Sequence, residues 1–275
     1  MEVLTMKKKL TALLLLCVAA ASHAGDRIVV AGGSLTEIVF TLGVGERVVG
    51  VDETTSWPPE TASLPHIGYW KQLSSEGILS LHPDTFITWQ DAGPDVVLNQ
   101  LRAQKIHVVT LPRVPATLDR MVANIQTLGS VLGAEDNSNA LIADIRQRLE
   151  RVKQANRDKT PVRAMFILSA GGSAPQVAGK GSVADAILTL AGAQNVATHT
   201  QYKSYSAEAI LAANPDVIIV TNEMVQGDVN RLSTIAGMTR TAAWKKQRII
   251  TIDQALILGM GPRIADAVET LHQQL

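Results

Sequence analysis

The sequence predicts an α/β protein of two lobes joined by one long helix. Three observations carry that expectation. Residues 26–52, "DRIVVAGGSLTEIVFTLGVGERVVGVD", read as strand, glycine turn, helix and strand. Residues 134 to 160 contain no glycine or proline and repeat apolar side chains at helical spacing. One helix–turn–strand frame occurs twice, near residues 74 and 205.

The first segment stands apart from the fold. "MKKKLTALLLLCVAAASHA" has a basic start at Lys7, Lys8 and Lys9, an apolar run from Leu10 to Ala21 and a Ser22-His23-Ala24 ending. Small residues at the last and third-last positions suit a secretory cleavage site, and the run is shorter than the roughly 20 residues of a spanning helix. Residues 1–24 are therefore expected to be a signal peptide, and the protein to reach the periplasm. The single cysteine, Cys17, falls inside that segment. The remaining chain then has no disulfide, thiolate metal site or cysteine nucleophile. Its stability must come from an apolar core, which about 250 residues can bury. Basic and acidic residues number 25 each, with no basic stripe, so nucleic acid is not an expected partner.

The N-terminal lobe is expected over 25–134. Its first strand, Ile28–Ala31, ends at Gly32-Gly33, and Ser34 with Glu37 three residues on fits a capping box. "AGGSLTE" lacks both G-x-G-x-x-G and G-K-[ST], so a phosphate-binding reading is weak. "SSEGILSLHPDTFITW" reads as helix, Pro-Asp turn and buried strand, and "DVVLNQLRAQKIHVVTLP" as helix and strand. "TLDRMVANIQTLGSVLG" is a further helix. The linking helix, 135–160, carries Leu141, Ile142, Ile145, Leu149 and Val152 on one face. The C-terminal lobe, 161–275, restarts with the strand "VRAMFILSAGG" and the helix "SVADAILTLAG". It continues through "SAEAILAANPDVIIVTN" and "WKKQRIITID" to the terminal helix "GPRIADAVETLHQQL".

The repeated frame is the most informative pattern. "SSEGILSLHPDTFIT" and "YSAEAILAANPDVIIV" share a serine two residues ahead of a glutamate, an apolar helix, Pro-Asp and a strand. Glu76 precedes Pro83, and Glu208 precedes Pro215, by the same seven residues. Ser74 and Ser206 suit N-caps, and the acids suit helix N-termini. Ordinary helix-start chemistry explains one copy; two copies point to duplicated lobes.

The loop "IGYWKQ" sets Tyr69, Trp70 and Lys71 side by side in a chain with three tyrosines. In extended backbone Tyr69 and Lys71 would project to the same side. Histidines 66, 82, 107, 199 and 272 are scattered singly, unlike a zinc site. No G-x-S-x-G or spaced nucleophile–base set points to an enzyme.

Two lobes, a long helix, a leader and paired "E-x-I-L-x-x-x-P-D" segments resemble the class III substrate-binding proteins of bacterial ABC importers. The resemblance spans the whole chain after the leader and implies two Rossmann-like lobes with a ligand cleft between them. It also implies that Glu76 and Glu208 dock onto an inner-membrane permease and its ATPase, and that the protein is a monomeric carrier and no enzyme. Within that class, "IGYWKQLSSEGILSLHPD" and "LGMGPR" resemble the haem-binding members, where a tyrosine is the axial iron ligand. Tyr69 matches it. The resemblance implies ferric b-type haem as transported cargo. The strand "AMFILSAGG" offers no histidine as a second ligand, and one haem is expected. Siderophore and cobalamin binders of the same class share every outer feature and stand as the alternative.

The chemistry is coherent. A phenolate is a hard anionic ligand for ferric iron, and a free phenol with a pKa of about 10 must be stabilised to ionise at neutral pH. Lys71 is the expected charge partner for the phenol or a propionate. Trp70 is a wall candidate, Met224 a packing candidate and Arg231 a cation expected to reach a propionate, while Arg263, which ends the resembling "LGMGPR" segment, is a ligand-binding candidate by that resemblance. Tyr202 and Tyr205 are expected to pack rather than ligate.

Overall fold

The computed structural model describes residues 27–169 and 174–275. The leader, Cys17 and the glycines that close the strand "AMFILSAGG" lie outside the described residues. The N-terminal lobe is built on a parallel sheet of β1 (Ile28–Ala31), β2 (Val48–Val51), β3 (Thr85–Trp89) and β4 (His107–Leu111), in the order β2-β1-β3-β4. Strands buried on both faces need near-continuous apolar runs, and every residue of β1 and β3 is buried. Helices α1 (Gly33–Thr41), α2 (Ser75–Leu79), α3 (Asp95–Ala103) and α4 (Leu118–Leu132) connect and cover them. Thr117 caps α4, accepting from the Arg120 N–H at 3.1 Å, and Gly133 ends it in a left-handed conformation.

Helix α5 (Glu135–Ala155) links the lobes. Its 21 residues span roughly 31 Å at 1.5 Å per residue. It stops short of the expected residue 160, at a turn over residues 156–159, where Asn156 Nδ2 donates to the Ala191 carbonyl. Buried Ile142, Ile145, Leu149 and Val152 form its inner face, and Arg148 ties it to Asp266 and Glu269 of the last helix.

The C-terminal lobe has a parallel centre of β5 (Val162–Ser169), β9 (Val217–Thr221) and β10 (Ile249–Ile252). Short β6 (Gln176–Ala178) runs antiparallel beside β5, β8 (Tyr202–Ser204) pairs antiparallel with the far edge of β6, and β7 (Ala193–Asn195) pairs with the start of β5. The principal helices are α6 (Val183–Leu190), α7 (Ala207–Ala213), α8 (Asn222–Val225), α9 (Ala242–Lys245), α10 (Gln254–Leu258) and α11 (Ile264–Gln274). A separate apolar cluster holding Met165, Ile167, Ile210, Ile218 and Val220 fills the outer side of this lobe. Among the described residues no helix is long and apolar enough to cross a membrane.

Besides α5, direct contacts among the described residues bridge the lobes on both flanks. The Ala116 N–H donates to the Gly181 carbonyl at 2.8 Å. On the other flank Gly261 presses against α1: a Cβ there would lie 3.0 Å from Ser34 Cβ. A larger residue at 261 would wedge the lobes apart.

Candidate functional site

The cleft between the lobes holds a cavity of about 660 Å³, within the usual range for a small-molecule site. The N-terminal lobe supplies Tyr69, Trp70, Lys71, Trp89, Arg113 and Arg120 to its lining, and the C-terminal lobe Leu168, Val183, Tyr202, Glu223, Leu258 and Met260.

Tyr69 owes its position to what flanks it. The preceding segment is stitched to β2: Ile67 N–H donates to the Val51 carbonyl at 2.9 Å, and Glu53 N–H to Gly68 at 3.0 Å. Gly68 takes φ 86°, a conformation that disfavours side chains. Ile67, Trp70 and Leu73 are buried, so the loop is anchored from below while Tyr69 stays 37% exposed. The loop is a turn, not extended: Gln72 N–H donates to the Tyr69 carbonyl at 2.7 Å. The expected Lys71–Tyr69 pairing is corrected accordingly. Lys71 Nζ lies 4.8 Å from the Trp70 ring centroid and 3.5 Å from Asp91.

Trp70 serves as core residue and wall together. It is 7% exposed, packs edge-on against Tyr69 at 5.5 Å, and carries Arg113 on its ring at 5.2 Å as well as Lys71. Asp91 holds both cations, accepting from Arg113 Nη2 at 2.9 Å. Partial burial pushes the Asp91 carboxyl up, but the Arg113 hydrogen bond and the two cations outweigh it and hold it below the usual carboxylate range.

The glycine turn is shaped by a buried acid. Asp52 Oδ1 accepts from the Gly32 N–H at 3.0 Å, and Thr54 and Thr55 donate to the same carboxylate. Burial nevertheless pushes the Asp52 carboxyl up. Gly32 has φ 138°, and a Cβ there would strike Trp89 Nε1, so this glycine lets the second tryptophan reach the cleft.

Three sequence-predicted site residues, Arg263, Met224 and Arg231, stand off the cavity, and one predicted helix cap is replaced. The Ser34–Glu37 capping box does not form: Gly32 is the cap of α1, without a side-chain bond. Glu37 is buried and receives two hydrogen bonds from Arg263, Nε at 3.0 Å and Nη2. Arg263 is therefore spent on an interlobe ion pair, stacked 5.1 Å from the Trp57 ring, and does not line the cavity. Burial pushes the Glu37 carboxyl up against the pull of Arg263. Met224 packs on the outer apolar cluster and Arg231 bonds Gln226 in solvent, both off the cavity, because α8 turns that loop outward and leaves Glu223 facing in.

Tyr202 is the reverse case. Expected to pack, it lines the cavity with a buried hydroxyl that has no partner. Burial pushes its phenol up to about 12, against the pull of Arg113. Tyr205 bonds His199 Nδ1 at 3.1 Å, away from the lining. Arg113, Arg120 and Trp89 were missed: nothing in "LPRVPATLDR" sets its arginines apart, although Thr117, Arg120, Met121 and Asn124 share one face of α4 at helical spacing.

Glu76 and Glu208 sit in the first turns of α2 and α7, both exposed. Ser206 accepts from the Ala209 N–H at 3.2 Å, whereas Ser74 occupies the cap position without that bond. The Glu208 carboxyl is held below its ordinary value by its own backbone N–H and by Ser206.

A family model described as periplasmic binding protein matches residues 28–256. The chain belongs to the periplasmic binding protein family. Among solved structures, the periplasmic heme-binding protein RhuT from Roseiflexus sp. RS-1 is 36% identical, with TM-score 0.86 over 91% of this chain and 98% of its own. The periplasmic heme-binding protein BhuT, in complex with two hemes, is 32% identical, with TM-score 0.85 over 90% of this chain and 97% of its own. A vitamin B12-binding protein of Pectobacterium carotovorum subsp. carotovorum is 24% identical over 267 residues, 95% of this chain and 92% of its own. This periplasmic binding protein is thus similar both to proteins named for heme binding and to one named for vitamin B12 binding.

Proposed function

We propose that this periplasmic binding protein captures ferric haem in the interlobe cleft, with the Tyr69 phenolate as axial ligand, and delivers it to an inner-membrane ABC permease and its ATPase through Glu76 and Glu208. The carrying observation is Tyr69 itself, a phenol held at the rim of an aromatic cavity with its oxygen in no protein hydrogen bond. Iron would supply most of the stabilisation of the phenolate, while Trp70 and Trp89 add aromatic surface to the lining that a flat apolar macrocycle would meet. The haem-binding neighbours exceed the vitamin B12-binding relative in identity, which supports haem as cargo. Cobalamin is the second reading, favoured by the name of that full-length relative.

Titration of the protein with haemin and with vitamin B12, followed by absorption and tryptophan quenching, separates the two. Haemin should bind and yield a tyrosinate charge-transfer band. In Tyr69→Phe the band should vanish and affinity should fall by about 100-fold, as when a hydrogen-bonded or ligating charged group is removed. An unchanged spectrum in Tyr69→Phe would remove Tyr69 from the iron.

A further inference from the structure

We infer that Arg113, Arg120 and Tyr202 form a carboxylate-binding subsite at one corner of the cleft, and that this corner makes the protein prefer an acidic macrocycle over one bearing amides. The inference rests on the haem reading and adds what selects the cargo. All three residues line the cavity. Arg113 follows β4, Arg120 lies in the first turn of α4, and Tyr202 opens β8 in the opposite lobe.

Their donors are incompletely used. Arg113 Nη2 donates to Asp91 at 2.9 Å, and Arg120 Nη1 donates to the Val114 carbonyl at 3.1 Å. The Nε–H of each arginine and the Tyr202 hydroxyl are buried with no hydrogen-bond partner in the protein. Folded proteins leave few buried donors unpaired, and three on residues that line one cavity, with Arg113 close enough to act on the Tyr202 phenol, call for an acceptor. Among the described residues, Asp91 is the one acid paired with Arg113, and no acid pairs with Arg120. The acids of the lining are Glu37, held by Arg263, with Glu53, Glu223 and Asp253. None bonds this corner.

A guanidinium presents parallel N–H donors that match a carboxylate, and desolvation strengthens the pairing. The Tyr202 hydroxyl would donate to the same group from the far lobe. A carboxylate seated here would thus draw both lobes onto one charge. Haem carries two propionates, whereas the corrin ring edge carries amides that bring no charge to two arginines. The subsite therefore discriminates by charge where the aromatic walls accept any flat ring.

The test compares three probes on the full protein: haemin, haemin dimethyl ester and vitamin B12, each titrated by tryptophan quenching. The parent should bind the diacid about 10-fold or more tightly over the diester. Arg120→Gln should shrink that preference to about threefold or less, and Tyr202→Phe, which removes one oxygen, should halve it roughly. Diester binding should stay within about twofold in both variants, and circular dichroism should show parental folding. Equal binding of diacid and diester by the parent would overturn the subsite while leaving the haem reading intact. So would parallel losses of both probes in folded Arg120→Gln. Tight binding of vitamin B12 with none of haemin would overturn both together.

Discussion

The two lobes repeat each other on the outside and diverge on the inside. Both start a helix with serine, one residue and glutamate, follow it with Pro-Asp, and run into a fully buried strand, β3 or β9. Facing the cleft, the N-terminal lobe offers Tyr69, Trp70, Trp89 and three cations. The C-terminal lobe offers mainly aliphatic Leu168, Val183, Leu258 and Met260, with Glu223 and Asp253. A partner with near two-fold symmetry would need the outside duplicated, whereas an asymmetric cargo does not need matching walls. The lobes are held at Glu37–Arg263 and Ala116–Gly181, so the cleft is shaped by contacts neither lobe makes alone.

The largest effect should come from breaking the duplicated outside. Both glutamates are exposed at helix starts, and two linked grips reinforce each other by about 100-fold or more. Glu76→Ala with Glu208→Ala should keep haemin bound, yet lower delivery to vesicles carrying the permease by about that factor. Normal delivery would return both acids to helix-start residues.

Next comes the interlobe pair. Removing one partner of a buried ion pair strands the other, at a cost of about 3 kcal/mol. Arg263→Met should lower the urea midpoint accordingly, and adding Glu37→Gln should recover part of the loss. If Arg263→Met unfolds at the parental midpoint, the pair contributes nothing to holding the lobes.

The same pair and Asp91 should respond oppositely to pH. The Glu37 carboxyl is raised on folding, so between its unfolded value of about 4.3 and its higher folded value the native state binds the extra proton. That contribution is present below the window and is lost as pH rises through it. The Asp91 carboxyl is depressed, so its contribution is present above about 3.9 and lost as pH falls through its folded value. Urea midpoints from pH 4 upward should therefore contain a falling component that Glu37→Gln removes. Identical slopes in parent and variant would refute the assignment.

The smallest effect belongs to Lys71, whose side chain is about half exposed and shares Asp91 with Arg113. An exposed ion pair contributes little. Lys71→Met should weaken haemin binding by roughly twofold to fivefold in titration, and a loss as large as that of Tyr69→Phe would make Lys71 a principal contact instead.

Short-range chemistry is written in the order of the residues. Apolar runs closed by glycine located β1 and β5, those opened by Pro-Asp located β3 and β9, and helical periodicity located α5. The repeated serine–glutamate frame located two matching helix starts. A turn rich in aromatics located Tyr69, whose exposure follows from buried neighbours on either side. Tertiary structure decided the pairings across long separations. Ser34 and Glu37 have capping-box spacing, yet Glu37 turned to Arg263, 226 residues away, because a guanidinium compensates a buried carboxylate that a backbone N–H alone would leave exposed to desolvation. Arg113 and Arg120 carry no local signal, and it is β4 and α4 that bring them to the cleft wall. Tyr202 looked like packing until β8 set it opposite them. Local pattern selects secondary structure, but which charges face one another depends on how the two lobes meet.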